Sequence, residues 1–324
     1  MIKLQNINKT FRVAKRKAGF GRAVKALFSR EHEIIRALID VSFNIGDGEM
    51  VGYIGPNGAG KSTTIKIMCG ILTPDSGICD IDGRTPWRDR TAHVSEIGVV
   101  FGQRSQLWWD VPVIDSFELL RDIYRVDESR FRRNLDELTA LLDLGELLKT
   151  PTRSLSLGQR MRCEIAASLL HDPKTLFLDE PTIGLDAVSK IAVRQFIKKL
   201  NAERGTTVIL TTHDMQDIEA LTERILLIGR GRILLDGSLD ELRRRSSERK
   251  TLVVEYRGSA PELCDGMVLS EAKEGRIVIA LDPSVLPVSD AISWLSAQTD
   301  LTDVSVSGIS AEEMVAALYK EYMV

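Results

Sequence analysis

One stretch, Glu49 to Met68, limits what this chain can fold into more than any other. It reads Glu-Met-Val-Gly-Tyr-Ile-Gly-Pro-Asn-Gly-Ala-Gly-Lys-Ser-Thr-Thr-Ile-Lys-Ile-Met. The apolar run Met50 to Ile54 predicts a buried strand. Gly55, Gly58 and Gly60 then permit backbone angles that a Cβ forbids. Successive N–H groups can turn inward there and form an anion nest. From Lys61 onward the pattern is helical, with Ile65 and Met68 on one face. The loop therefore ends at a helix N-terminus, where unpaired N–H groups and the helix dipole favour phosphate. The spacing from Gly55 to Gly60-Lys61-Ser62 fits a P-loop. It makes Gly55, Pro56, Asn57, Gly58, Ala59, Gly60, Lys61, Ser62 and Thr63 candidate nucleotide-binding residues. Lys61 is expected on the β- and γ-phosphates and the Ser62 hydroxyl on Mg²⁺. The plainer alternative is a Gly-rich strand-to-helix turn that binds nothing.

With 324 residues the chain has room for about two domains. A net charge of −3 gives no global drive toward nucleic acid or anionic lipid. Cys69, Cys79, Cys163 and Cys264 lie far apart without metal-ligand spacing and read as reduced thiols, Cys69 and Cys163 as packing residues. The first residues lack the apolar core of a signal peptide. No apolar run approaches the ~20 residues that span a bilayer, so any action on membranes is expected through a partner.

Taken in order, Ile2 to Ile7 alternates as an edge strand. Residues 12 to 36 form a basic insertion, with Phe20, Val24, Leu27 and Phe28 as a short apolar stripe. It fits either a basic amphipathic element on lipid headgroups or a membrane partner, or a solvated helical insertion. Ala37 to Ile45 should pair back with the first strand. Ile78 to Ile81 and Ile97 to Phe101 read as strands. Residues 104 to 167 turn helical, with helices over 113–124, 128–142 and 158–170, as an inserted subdomain. Strands at 175–178, 206–210, 225–228 and 232–235 alternate with helices at 191–200 and 217–222, which predicts an α/β sheet covered on both faces. Beyond residue 236 the composition shifts. A charged linker helix at 239–250 precedes strands at 252–256, 277–281 and 304–307 and helices at 289–297 and 311–323. This predicts a small α+β domain to residue 324.

Further positions narrow the chemistry. Asp179 and Glu180 end a buried strand. Asp179 can hold Mg²⁺ opposite Ser62, and Glu180 can polarise water for in-line attack; the alternative is two acidic strand-end caps. His213 and Gln103 each follow a strand's C-terminal end, where α/β sheets place ligands. His213 is a candidate γ-phosphate contact, and Gln103 can orient water or Mg²⁺. Leu155-Ser156-Leu157-Gly158-Gln159 opens a helix. It offers either a second anion site or a Ser N-cap alone.

In that order, these motifs resemble the ATP-binding cassette (ABC) ATPases over residues 1 to about 236. Residues 55–62 match Walker A, Gln103 the Q-loop, Leu155 to Gln159 the signature, Leu178-Asp179-Glu180 Walker B, Ile183-Gly184-Leu185-Asp186 the D-loop and His213 the switch histidine. The resemblance implies an α/β P-loop NTPase fold with a RecA-like core, an antiparallel β subdomain and a helical subdomain. It implies ATP and Mg²⁺ as cofactors, and a head-to-tail dimer in which Ser156, Gly158 and Gln159 of one cassette, with Asp186 nearby, complete the other's ATP site. Where the family has Gly, this chain has Leu157. The family also stacks adenine on an aromatic near the first strand; Phe11 is placed for that or for the core.

Trp108 and Trp109 follow the Q-loop. They predict either burial inside the helical subdomain or a groove for a transmembrane partner's helix. The wording Thr-Ile-Gly-Leu-Asp, the Ser-Leu-Gly-Gln signature and the small C-terminal domain most resemble bacterial drug, antibiotic or polymer exporter ATPases. The resemblance implies a second cassette, a homodimer by expectation, and a permease subunit at the cytoplasmic face of the cell membrane, with no nucleic-acid partner. A soluble mechanical ATPase acting on ribosomes or DNA, and an importer ATPase, are the alternatives.

Overall fold

The computed structural model describes residues 1–14, 32–102, 104–212, 214–241 and 250–308, together with Val315 and Tyr319. The chain divides into two compact units, Met1–Asp236 and Gly237–Val324.

The first unit contains two sheets. Strands β1 (Ile2–Ala14), β2 (His32–Ile45) and β4 (Ser76–Ile81) form an antiparallel sheet in the order β2-β1-β4. The expected edge strand, β1, is therefore the central one. Its Ile2, Leu4 and Ile7 alternate inward, and both of its hydrogen-bonding edges are paired. The basic insertion is narrower than its sequence suggests. Residues 12–14 and 32–36 belong to the β1–β2 ladder, with Arg12 opposite Ile34 and Phe11 opposite Ile35. The stripe of Phe20, Val24, Leu27 and Phe28 lies outside the described residues.

The second sheet runs β5 (Ile97–Phe101), β6 (Thr175–Asp179), β7 (Thr207–Thr211), β3 (Met50–Ile54), β8 (Arg224–Gly229), β9 (Arg232–Ser238). The pairs β5–β6, β6–β7, β7–β3 and β3–β8 are parallel. Continuous apolar runs suit such strands, which are buried on both faces. β7 is buried at every position. Parallel pairing brings the C-terminal ends of β3, β5, β6 and β7 to one edge, where open α/β sheets bind ligands.

The antiparallel sheet shares its core with this one. Ile2, Val41 and Phe43 cluster with Val51, Tyr53, Phe177 and Ile209, and with Ile65 and Met68 of helix α1 (Lys61–Met68). Tyr53 is fully buried, and its phenol is satisfied by Thr64 Oγ1 at 3.0 Å. Burying that hydroxyl without a partner would cost about 1–3 kcal/mol.

Helices α2 (Arg90–Val94), α3 (Val113–Tyr124), α4 (Glu128–Leu142), α5 (Leu157–Leu169), α6 (Ala187–Arg204) and α7 (Met215–Leu221) complete the unit. Phe117, Leu120, Phe131 and Leu138 recur at helical spacing and are buried.

In the second unit β10 (Lys250–Arg257), β11 (Met267–Lys273), β12 (Arg276–Leu281) and β13 (Asp300–Gly308) form an antiparallel sheet in the order β11-β12-β10-β13. Leu252, Val254, Ile277, Ile279 and Leu281 pack with Ala291 and Leu295 of helix α8 (Val288–Ser296). Lys250, expected at the end of the linker helix, instead opens β10. Strand β11 is absent from the sequence reading. Residues 242–249 of that expected helix, and all of the final expected helix except Val315 and Tyr319, lie outside the described residues.

Candidate functional site

The β3–α1 turn builds a cradle. Gly60 has φ +117°, and a Cβ there would lie 2.8 Å from the Ala37 carbonyl oxygen, so the backbone passes β2 too closely for a side chain. α1 starts immediately after, at Lys61. The Lys61 ammonium is folded back over the loop. It donates to the Gly55 carbonyl at 2.5 Å and the Pro56 carbonyl at 3.4 Å. Burial lowers its pKa, while Glu180 and Asp179 act in the opposite direction. A lysine held among carbonyls is a cation positioned to receive an anion.

Pro56, Asn57, Gly58, Gly60, Lys61, Ser62 and Thr63 line a cleft of about 470 Å³. Asp179 and Glu180 line the same cleft from the end of β6, and Ile35, Arg36 and Ala37 from β2. Gly55 and Ala59 shape the loop from beneath: Gly55 supplies the carbonyl to Lys61, and Ala59 is buried. Phe11 lies one strand away, opposite Ile35, with the Lys9 ammonium 5.8 Å from its ring centroid.

Thr211, which the sequence reading does not single out, fixes both carboxylate residues. Its Oγ1 donates to Asp179 Oδ1 at 2.5 Å. The Glu180 N–H donates to the Thr211 carbonyl at 2.9 Å. Glu180 has φ 58°, a left-handed value rare outside glycine. The chain thus leaves the extended line of β6 at Glu180. Gln103 and His213 lie outside the described residues. Their neighbours Gly102 and Thr212 follow β5 and β7 at the same sheet edge.

Ser156 caps α5 through a capping box. The Gln159 N–H donates to Ser156 Oγ at 3.2 Å, and the Ser156 N–H donates to Gln159 Oε1 at 2.8 Å. The N-cap reading is thus realised; the hydroxyl hydrogen of Ser156 is a separate donor. Gly158 is buried against Ser189, and Leu157 is partly exposed beside Gly184. Asp186 caps α6, accepting the Ser189 N–H and hydroxyl, each at 2.9 Å, which holds its carboxyl below the usual range.

Trp108 and Trp109 are 58% and 52% exposed, so burial within the helical subdomain is not their role. The loop beneath them is fixed. The Arg153 N–H donates to the Trp109 carbonyl at 3.0 Å, the Thr152 N–H to the Val111 carbonyl at 3.2 Å, and the Arg160 guanidinium lies 5.8 Å from the Trp109 ring centroid. Buried Glu164, also absent from the sequence reading, ties the loop to α5. Its carboxylate accepts the Ser105 hydroxyl and, at 3.1 Å, the Gln106 N–H.

A family model described as ABC transporter matches residues 38–183. The daunorubicin resistance ATP-binding protein DrrA3 of Streptomyces coeruleorubidus is 30% identical over 282 residues, 86% of this chain and 86% of that protein. The chain belongs to the ABC transporter ATP-binding proteins. The fluoroquinolones export ATP-binding protein MT2762 of Mycobacterium tuberculosis (strain CDC 1551 / Oshkosh) is 35% identical over 273 residues, 83% of this chain and 86% of that protein. A solved dimeric, post-hydrolysis state of the ATP-binding cassette MJ0796, bound to ADP and Pi, superposes with a TM-score of 0.62 at 31% identity, covering 74% of this chain and 99% of that one. The ABC cassette fold and its ATPase activity are those of this family. Among the described residues no helix is long and apolar enough to cross a membrane.

Proposed function

We propose that this cassette binds Mg²⁺·ATP in its 55–63 cradle, closes on a second copy of itself, hydrolyses ATP and drives export through a separate permease at the cytoplasmic face of the cell membrane. The observation that carries the reading is the convergence of Lys61, Ser62, Asp179 and Glu180 on one cleft. The donor set fits the hard cation. Among the described residues no group of three His, Cys, Asp or Glu could hold a metal alone. One carboxylate and one hydroxyl suit Mg²⁺ that shares the substrate's phosphates. Ser62, Asp179 and Gln103 would hold it, and it would neutralise charge on the transferred phosphoryl group.

In this reading Lys61 leaves the Gly55 carbonyl for the β- and γ-phosphates, and the α1 N–H groups cradle the rest. Glu180 accepts a proton from the attacking water, and His213 contacts the γ-phosphate. Phe11, or Ile35 beside the cleft, meets the adenine. Ser156, Gly158 and Gln159 of the second copy cover the nucleotide, with Asp186 at the same seam. The exposed Trp108–Trp109 loop receives the permease. The two relatives named for daunorubicin resistance and fluoroquinolone export support export. The 282 residues aligned with the former exceed the 236 of the first unit.

Two variants test the reaction. Glu180→Gln should bind ATP normally and release phosphate at least about 100-fold more slowly. Lys61→Ala should weaken ATP binding about 10- to 100-fold, the loss of a charge-assisted contact. Normal turnover in the first, or normal affinity in the second, removes the corresponding role.

A further inference from the structure

Asp217 is fully buried in the first turn of α7 and lies outside the nucleotide cleft. Three elements converge on its carboxylate. The Thr182 hydroxyl, two residues beyond Glu180, donates to Oδ2. The Thr212 hydroxyl, at the end of β7, donates to the same oxygen at 3.2 Å. Arg194 of α6 donates from Nε to Oδ1 at 2.5 Å. Thr182 and Thr212 are themselves buried. The loop after β6, which carries Glu180, and the loop after β7 therefore share one acceptor atom.

A second carboxylate supports the first. Asp214 accepts the Lys190 ammonium at 2.5 Å, and its own N–H donates to Thr212 Oγ1 at 3.0 Å. Burial raises the Asp214 pKa, but the Lys190 bond and charge outweigh it and keep the carboxyl below its usual range. Thr212 Oγ1 thus donates to Asp217 and accepts from Asp214, which fixes its rotamer from both sides.

A buried carboxylate needs neutralisation, and Arg194 supplies it. A hydrophobic residue of similar size would fill this space without three buried polar partners and is often as stable. What the carboxylate adds is direction: it holds two loops in one register. We infer that Asp217 is a positioning residue for ATP hydrolysis, locking the Glu180 loop to the β7–α7 loop so that the groups at both strand ends meet the γ-phosphate together. Misplacement of about 1 Å at a reacting centre can lower the rate about 100-fold, whereas remote substrate binding is unaffected. The inference rests on Glu180 acting as the base.

The test uses the full chain and steady-state ATP hydrolysis. Thr182→Val and Thr212→Val keep side-chain volume while removing one donor each. Asp217→Asn keeps the shape and removes the charge. Each is expected to lower kcat at least 10-fold with the KM for ATP within twofold. Thr182→Ser, which restores the hydroxyl, is expected to recover at least half of the lost rate. Melting temperature, read alongside, should not track kcat across the series. Should both valine variants keep kcat within twofold, or should kcat fall only in step with melting temperature, the inference is overturned. Glu180→Gln separates the two claims. A dead Glu180→Gln with fully active valine variants removes only the positioning role, and an active Glu180→Gln removes the base on which it rests.

Discussion

A Cβ built on Gly158 would lie 2.5 Å from Ser189 Oγ and 3.1 Å from Ser189 Cβ. The start of α5 is thereby pressed against the start of α6. Rotating Ser189 away would break the bond that its hydroxyl donates to Asp186 at 2.9 Å. The proposed signature and D-loop segments are thereby joined within one chain. Gly158→Ala should destabilise folding by about 1–3 kcal/mol, the range for overpacking. Ser189→Ala in the same chain should recover part of that loss. Urea unfolding measures both, and an unaltered midpoint in Gly158→Ala would show that this contact yields easily.

His171 connects the helical region to the sheet. Its ring stacks on Tyr124 at 3.9 Å, and Nε2 bonds the Ile97 carbonyl at 2.9 Å. The carbonyl can only accept, so Nε2 carries the proton. Burial depresses the imidazole pKa from 6.5 to about 4, against the opposing effect of the Ile97 bond. Between those values the unfolded chain binds a proton that the folded chain refuses, so stability falls as pH drops through the window. The loss reaches about 3 kcal/mol at the acid end, at 1.36 kcal/mol per unit. His171→Phe keeps the stack and should flatten the stability profile between pH 6.5 and 4. An equally steep profile in that variant would assign the acid limb to other groups.

If the Trp108–Trp109 loop receives the permease as proposed, its tryptophans separate folding from docking. Trp108→Ala and Trp109→Ala should each change stability by less than about 1 kcal/mol, because little burial is lost and only Trp109 faces a guanidinium. Both should weaken co-purification with a co-expressed permease at least 10-fold. Full retention of the permease by the double variant would move the docking surface elsewhere.

The glycine loop and the strand-end carboxylates were legible because their backbone and charge requirements leave few alternatives. Residues 113–124 and 128–142 were legible because an apolar face repeated over three or four turns has one reading. Other features depend on tertiary partners that leave no local mark. β1 has the alternation of an edge strand, yet its centrality comes from β4, some seventy residues later. β11 escapes notice because only Met267 is buried, and its other residues, Val268 and Leu269 included, are exposed without an apolar/polar alternation. Thr211, Glu164 and Asp217 look like ordinary polar residues in strands or helices. Their partners lie on other elements 32, 59 and 35 positions away in sequence. The capping box Ser-x-x-Gln was present in the sequence, and the structure realises it as a local cap.

In the proposed dimer each chain supplies a phosphate cradle and the cover for its neighbour's. The mass in solution of Glu180→Gln, measured by light scattering with ATP and Mg²⁺, tests it most directly. The account predicts twice the 36.1 kDa chain mass with one ATP per chain, and a return to the single-chain mass when Ser156→Arg is added. An ATP-loaded Glu180→Gln chain that stays at 36.1 kDa would contradict it.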